Sequence, residues 1–138
     1  MFQDKAIVYA VLSVVEIAKR RAAGQVAGIQ AHEIAEVYGL PTAYAAKVMS
    51  QLARSRILRS VRGPQGGFQL TRDADKVTLL EVFEAVQGII DGRLDAEQSG
   101  APANVQKGLA VVYGSATDKL RQVLGDMTVA KFVKNYCG

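Results

Sequence analysis

In the first half of this chain, glycine and proline gather at two places, Gly39-Leu40-Pro41 and Arg62-Gly63-Pro64-Gln65-Gly66-Gly67. Glycine tolerates positive φ, while proline fixes φ and lacks an N–H, so each group must close one regular element and open another. Upstream of the first group, a short helix from about Ala31 to Tyr38 stops at Gly39, the residue type best suited to a left-handed helix terminus. Pro41 then stands at the start of a third helix that runs to about Ser55, where its missing N–H costs nothing. Tyr44, Val48, Met49 and Leu52 form one face of that helix, leaving Thr42, Ala43, Ala46, Lys47, Ser50 and Arg54 on the other. Around the second group, Ile57–Arg62 and Gly67–Thr71 read as the two strands of a hairpin. Two helices joined by a tight turn and followed by a hairpin make a winged helix-turn-helix.

The flanking sequence completes a mostly α fold with a small β-hairpin wing. From Gln3 to Arg21 the apolar residues Ile7, Val8, Val11, Leu12, Val14, Val15 and Ile17 leave only a narrow polar stripe through Ser13, Glu16 and Arg20, which predicts a largely buried first helix. Gly24 to Ile29 is a connector ending in a short extended segment. Thr78, with Glu81 three residues on, reads as a capping box opening a fourth helix whose apolar set is Leu79, Leu80, Val82, Phe83 and Val86. Gly88, Gly92, Gly100 and Pro102 mark a loop. Val105, Leu109, Val112, Ala116, Leu120 and Val123 then recur at intervals of four and three, predicting a long amphipathic helix over about 104–124. Because the first four helices already furnish a core, this seam is read as a dimerisation surface. Thr128 can start a last helix with Val129, Phe132 and Val133 inward. The expected organisation is a winged-helix domain over 1–88, a loop over 89–103, and a dimerisation and closing region over 104–138.

Charge is distributed unevenly. Between Glu36 and Asp73 there is no acidic residue, but there are Lys47, Arg54, Arg56, Arg59, Arg62 and Arg72. The chain's net charge is only +4, yet its basic excess lies in the first half, with a slight acidic excess after Lys76. Localised positive charge on a helix and a hairpin is the electrostatic footprint of a phosphate backbone.

Several function classes are excluded. A chain of 138 residues with 49% hydrophobic content can bury one true core. The apolar stretch from Ala6 to Ala18 is too short and too polar to span a bilayer, and no cleavable signal is visible. Cys137 is the only cysteine, which rules out an intrachain disulfide framework and fits a reducing cytosol, so a cytoplasmic location is expected. The sole histidine, His32, has no ligand partners nearby in sequence and reads as a surface residue. No nucleophile–base dyad, metal-ligand cluster or Gly-Lys-Ser/Thr phosphate loop is present, so no enzyme is expected.

The stretch from Gly39 to Leu70, followed by Val77-Thr78-Leu79-Leu80-Glu81-Val82-Phe83-Glu84-Ala85-Val86-Gln87-Gly88, resembles the bacterial Rrf-type winged-helix regulators. The combination of an Arg-Gly-Pro-x-Gly-Gly-aromatic hairpin with Thr-Leu-x-Glu-Val-x-x-Ala-Val carries the resemblance, and Met127 to Val133 resembles the family's closing helix. It implies a homodimer whose long helix crosses its partner's and whose two winged helices sit on a partly palindromic operator in double-stranded DNA. It also implies base-reading positions at Ala43, Ala46 and Lys47 and a minor-groove arginine at Arg62. Many members hold an iron–sulfur cluster through three cysteines after the fourth helix. Ile89 to Asn104 has no Cys and no His here, so neither cofactor nor metal is expected.

The candidate DNA-contacting set is therefore Thr42, Ala43, Tyr44, Ala46, Lys47, Ser50 and Arg54 of the third helix, Arg59 of the hairpin, and Arg62, Gly63, Pro64, Gln65 and Gly66 of the wing tip. Lys47 suits guanine O6 and N7, and Ala46 a thymine methyl. Arg62 suits a narrow, electronegative minor groove. The expected activity is that of a transcription regulator, a repressor, with an effector or partner protein still to be identified. The alternative is a winged-helix interaction module that binds an acidic protein through the same basic surface.

Overall fold

The computed structural model describes residues 4–96 and 99–137. Three helices, α1 (Asp4–Ala22), α2 (Ala31–Tyr38) and α3 (Thr42–Arg54), precede an antiparallel hairpin of β1 (Leu58–Val61) and β2 (Gly67–Leu70). A single 3-10 turn (Ala74–Lys76) leads to α4 (Leu79–Gln87), the long α5 (Ala103–Asp126) and the closing α6 (Val129–Tyr136). The expected winged helix with a long C-terminal helix is the observed one. The expected start of α1 at Gln3 lies outside the described residues.

Helix α1 packs against α2, α3, α4, α6 and β2, which its nearly all-round apolar sequence requires. Ala10, Val14, Ile34, Met49, Leu52 and Val82 are fully buried in the resulting core. The polar stripe expected on α1 is corrected at Ser13, which is fully buried. Its hydroxyl donates to the carbonyl of Tyr9 at 2.8 Å, one turn back, so the helix satisfies this polar atom itself. A second apolar cluster of Leu79, Ile90 and Leu124, with Leu80, Phe83, Leu120, Met127 and Phe132 against it, joins α4, α5 and α6.

Two isolated bridges stitch segments that have no regular pairing. Ile29 pairs with Phe68, setting the end of the α1–α2 connector beside β2, and Thr78 pairs with Thr128. Thr78 caps α4 as expected, accepting from the Glu81 N–H while the Glu81 carboxylate accepts from the Thr78 N–H. Among the described residues no helix is long and apolar enough to cross a membrane.

Candidate nucleic-acid interface

The turn between α2 and α3 is built around Gly39, whose φ of 66° places it in the left-handed region. Its N–H and that of Leu40 both reach the Ala35 carbonyl, which ends α2 within one residue. Pro41 is the N-cap rather than the first helical residue, and its carbonyl accepts from Tyr44 and Ala45. Helix α3 buries Ala45, Val48, Met49 and Leu52. Thr42, Ala43, Lys47, Ser50 and Arg54 are exposed and Ala46 half-exposed along the opposite face. Tyr44 belongs to the inner side: its ring is half-buried and stacks edge-on against Tyr9 at 5.0 Å.

An ion-pair cluster holds α2, and hence this turn, against α1. Arg20 donates to Glu16 at 2.9 Å and to Glu33 at 3.1 Å, and the Tyr38 hydroxyl donates to Glu16 at 3.0 Å. Burial opposes ionisation of Glu16, but the hydrogen bonds from Arg20 and Tyr38 and the charges of Arg20 and Lys19 outweigh it, holding the carboxyl below its ordinary value. Burial, with the hydrogen bond to Glu16, pushes the Tyr38 phenol up to about 12.

In the wing, Leu58 pairs with Leu70, Arg59 with Gln69, Ser60 with Phe68 and Val61 with Gly67. The tip closes through a bond from Gly66 N–H to the Gly63 carbonyl at 2.9 Å, with Pro64 preset at the second turn position. Arg62, Gly63, Pro64 and Gln65 are exposed. Gly66, expected to reach DNA, is instead buried. A Cβ there would come within 2.3 Å of the Val61 carbonyl, so this glycine serves turn closure. The wing is also fastened from behind: Gly28 N–H reaches the Gln65 carbonyl at 3.0 Å, and Ile29 and Phe68 exchange bonds of 2.8 and 2.9 Å.

The arginines divide cleanly. Arg20, Arg21, Arg72, Arg93 and Arg121 each pair with a carboxylate. Arg54, Arg56, Arg59 and Arg62 pair with none among the described residues, and all four are exposed. They run in sequence from the end of α3 through β1 to the wing tip, and with exposed Lys47 on the outer face of α3 they leave uncompensated positive charge on the helix and the hairpin. Arg56 belongs to the basic run but not to the expected contact set. It takes a positive φ of 62° just past the α3 C-cap, where Ile57 N–H reaches back to the Leu52 carbonyl at 3.0 Å.

Helix α5 has two apolar faces. Thr117, Leu120 and Leu124 turn inward, and Leu120, expected in the outer seam, packs within the chain beside Leu79 and Ile90. Arg121 tethers the loop to this face, donating to Glu84 and to the Ile90 carbonyl at 2.7 Å each. Val105, Leu109, Val112, Ala116 and Val123 stay exposed as one stripe, with Val112 and Val123 each 68% exposed. Val111, absent from the expected seam, is exposed as well.

The Rrf2 family model, described as an iron-dependent transcriptional regulator, matches residues 4–135. The helix-turn-helix-type transcriptional regulator IscR of Escherichia coli K12 is 28% identical over 127 residues, which is 92% of this chain and 76% of that protein. A chain of Aquifex aeolicus assigned to the helix-turn-helix-type transcriptional regulators is 39% identical over 56 residues, covering 41% of this chain and 39% of that protein. The structure of CymR (YrzC), the global cysteine regulator of B. subtilis, matches with a TM-score of 0.73 at 20% identity, over 94% of this chain and 93% of that one. That likeness shows the fold.

Proposed function

This chain belongs to the Rrf2 family of transcriptional regulators, and we propose on that premise that it works as a homodimeric, sequence-specific repressor on a partly palindromic operator, without an iron–sulfur cluster. The observation that carries the reading is the set of four exposed arginines, Arg54, Arg56, Arg59 and Arg62, without carboxylate partners among the described residues, where every other arginine has one. Uncompensated charge on a surface is maintained against self-repulsion, and a phosphate backbone is the partner that relieves it. In this reading α3 enters the major groove with Ala43, Ala46 and Lys47 on base edges, and Thr42 and Ser50 beside them. Arg54, Arg56 and Arg59 follow the phosphates. Arg62, carried at the tip by Gly63, Pro64 and Gln65, enters the minor groove.

The exposed stripe on α5 supports the dimer. Its members recur at intervals of four, three, four and seven, the spacing of one face of a helix packed at a shallow angle on another, and a contiguous exposed apolar stripe of this kind marks an interaction surface. Repression needs nothing further, because a seated dimer occludes its operator. The family's description is of an iron-dependent regulator, and the donor set of this chain does not fit a bound iron centre. Cys137 is the single thiol of the sequence, and among the described residues no three His, Cys, Asp or Glu side chains gather to hold a metal. DNA binding is therefore read as independent of iron, and the reading places the protein in the cytoplasm.

The test is duplex binding followed by selection of bound sequences from a random pool. With about 6 to 10 phosphate contacts per dimer, affinity should fall by about 10³ to 10⁵ between about 50 and 200 mM salt. The selected consensus should contain two related half-sites. Salt-insensitive binding, or no retained duplex, would reject the function and favour an acidic protein partner for the same surface.

A further inference from the structure

Arg59 differs from its basic neighbours in one respect: it is held. Its Nε and Nη2 both donate across the hairpin to Gln69 Oε1, at 3.3 and 3.1 Å. Gln69 Nε2 in turn donates to the Val26 carbonyl in the α1–α2 connector at 2.7 Å. The amide has only one workable orientation, because a guanidinium offers donors alone and a backbone carbonyl only accepts. Gln69 is thus fixed at both ends, linking wing strand, connector and guanidinium in one chain of hydrogen bonds. Arg59 Nη1 has no partner among the described residues.

We propose that Gln69 is a positioning residue for DNA binding, one that orders Arg59 without neutralising it. The inference rests on the reading that the 54–62 arginines meet the phosphate backbone. A long arginine that is free in the unbound protein loses rotamer freedom when it docks, which lowers the affinity its charge can deliver. A carboxylate opposite it would order the side chain but cancel the charge, as Asp73 does for Arg21. A neutral amide achieves the first without the second. Its own attachment to Val26 ties the guanidinium to the connector that also anchors the wing through Gly28 and Ile29.

The test compares duplex affinity and its salt dependence for the full-length protein and the variants Gln69→Ala, Gln69→Glu, Arg59→Ala and Arg59→Ala/Gln69→Ala, with thermal melting to show that each is folded. Gln69→Glu keeps an acceptor for Arg59 but adds a compensating charge and, being acceptor-only, gives up the bond to the Val26 carbonyl, a loss it shares with Gln69→Ala. It should bind about tenfold more weakly, with a salt slope reduced by about one per subunit, as in Arg59→Ala. Gln69→Ala leaves the charge in place, so the slope should be unchanged while affinity falls about threefold. In the Arg59→Ala background the Gln69→Ala change should cost nothing more. The proposal is overturned if Gln69→Glu binds like the parent, or if Gln69→Ala weakens binding equally with and without Arg59. Should the parent bind duplex DNA steeply with salt while Arg59→Ala leaves it unchanged, the regulator function stands and the role of Gln69 falls. Should the parent retain no duplex at all, both fall.

Discussion

Thr78 and Thr128 face one another as an antiparallel bridge, and each is at the same time the N-cap of the helix that follows it. Leu79 N–H reaches the Met127 carbonyl and Val129 N–H the Val77 carbonyl, both at 2.8 Å, so the first residue of each of α4 and α6 is bonded to the segment that leads into the other. The Oγ1 of Thr78 accepts from Glu81 and that of Thr128 from Lys131. Thr78→Ala and Thr128→Ala should each cost about 1 kcal/mol in urea unfolding, and the serine variants should recover most of it. Because Val129 lies in the same core as Ala10 and Met49, unfolding should stay a single transition in all of these proteins. A separate early transition in Thr128→Ala would show α6 to be only loosely attached.

The Tyr38–Glu16 contact makes stability depend on pH in both directions. The Glu16 carboxyl titrates below its ordinary value in the folded chain, so its contribution is complete above the ordinary carboxylate range and is lost as pH falls through the lowered value. Tyr38 is raised to about 12, so its contribution is complete below the ordinary phenol value and is lost as pH rises toward about 12. Tyr38→Phe should therefore cost about 1 to 2 kcal/mol near neutral pH. The difference from the parent should shrink in acid and again in strong alkali. A difference that is constant with pH would mean the hydroxyl is not bonded to a carboxylate.

On α5, Leu109→Glu and Val112→Glu place a charge in the exposed apolar stripe. If a second copy covers that stripe, the charge is desolvated without a partner, and the dimer should dissociate at micromolar concentration in sedimentation. Leu120→Glu should behave differently. Leu120 packs within the chain, so that change should lower the melting temperature of the monomer itself. Intact dimers in both of the first two variants would place the interface elsewhere.

Within the basic surface, Lys47 and Arg54 are expected to differ in kind. Lys47→Ala should relax base preference at one position of each half-site, by about 1 to 3 kcal/mol. Arg54→Ala should weaken all sequences alike and flatten the salt dependence. An unchanged consensus in Lys47→Ala would reassign that lysine to the phosphates.

The helix-turn-helix was readable because its signals are local. Gly39, Pro41 and the period of Val48, Met49 and Leu52 act within one or two turns, and the Thr78–Glu81 box acts within one. The wing tip was readable for the same reason, at the level of which residues form it. What could not be read depends on distant chain segments. Ser13 looks polar in sequence and is buried because one backbone carbonyl satisfies it. Leu120 fits the outer spacing of α5, but Leu79 and Ile90 come from elsewhere to cover it. Gly66 passes for a contact residue until Val61 is found behind it. The pairing of Arg59 with Gln69 follows from the hairpin register, whereas the Val26 carbonyl that completes it could not be anticipated from any spacing.

Arg56 sits at the left-handed position that closes α3, a site where glycine is the comfortable residue. Arg56→Gly should raise stability by about 1 kcal/mol, because the Cβ that clashes there is removed. It should also lower duplex affinity by removing one of the four uncompensated arginines. Random mutagenesis scored for heat resistance alone would favour this change, and the survivors would be sturdier proteins that hold DNA less well. Selection for repression in cells would run the other way and restore a long cation at this site. Repeated recovery of arginine or lysine at position 56 under the second selection, with glycine dominating under the first, would mark it as a place where the chain tolerates a poorer backbone in exchange for a better grip.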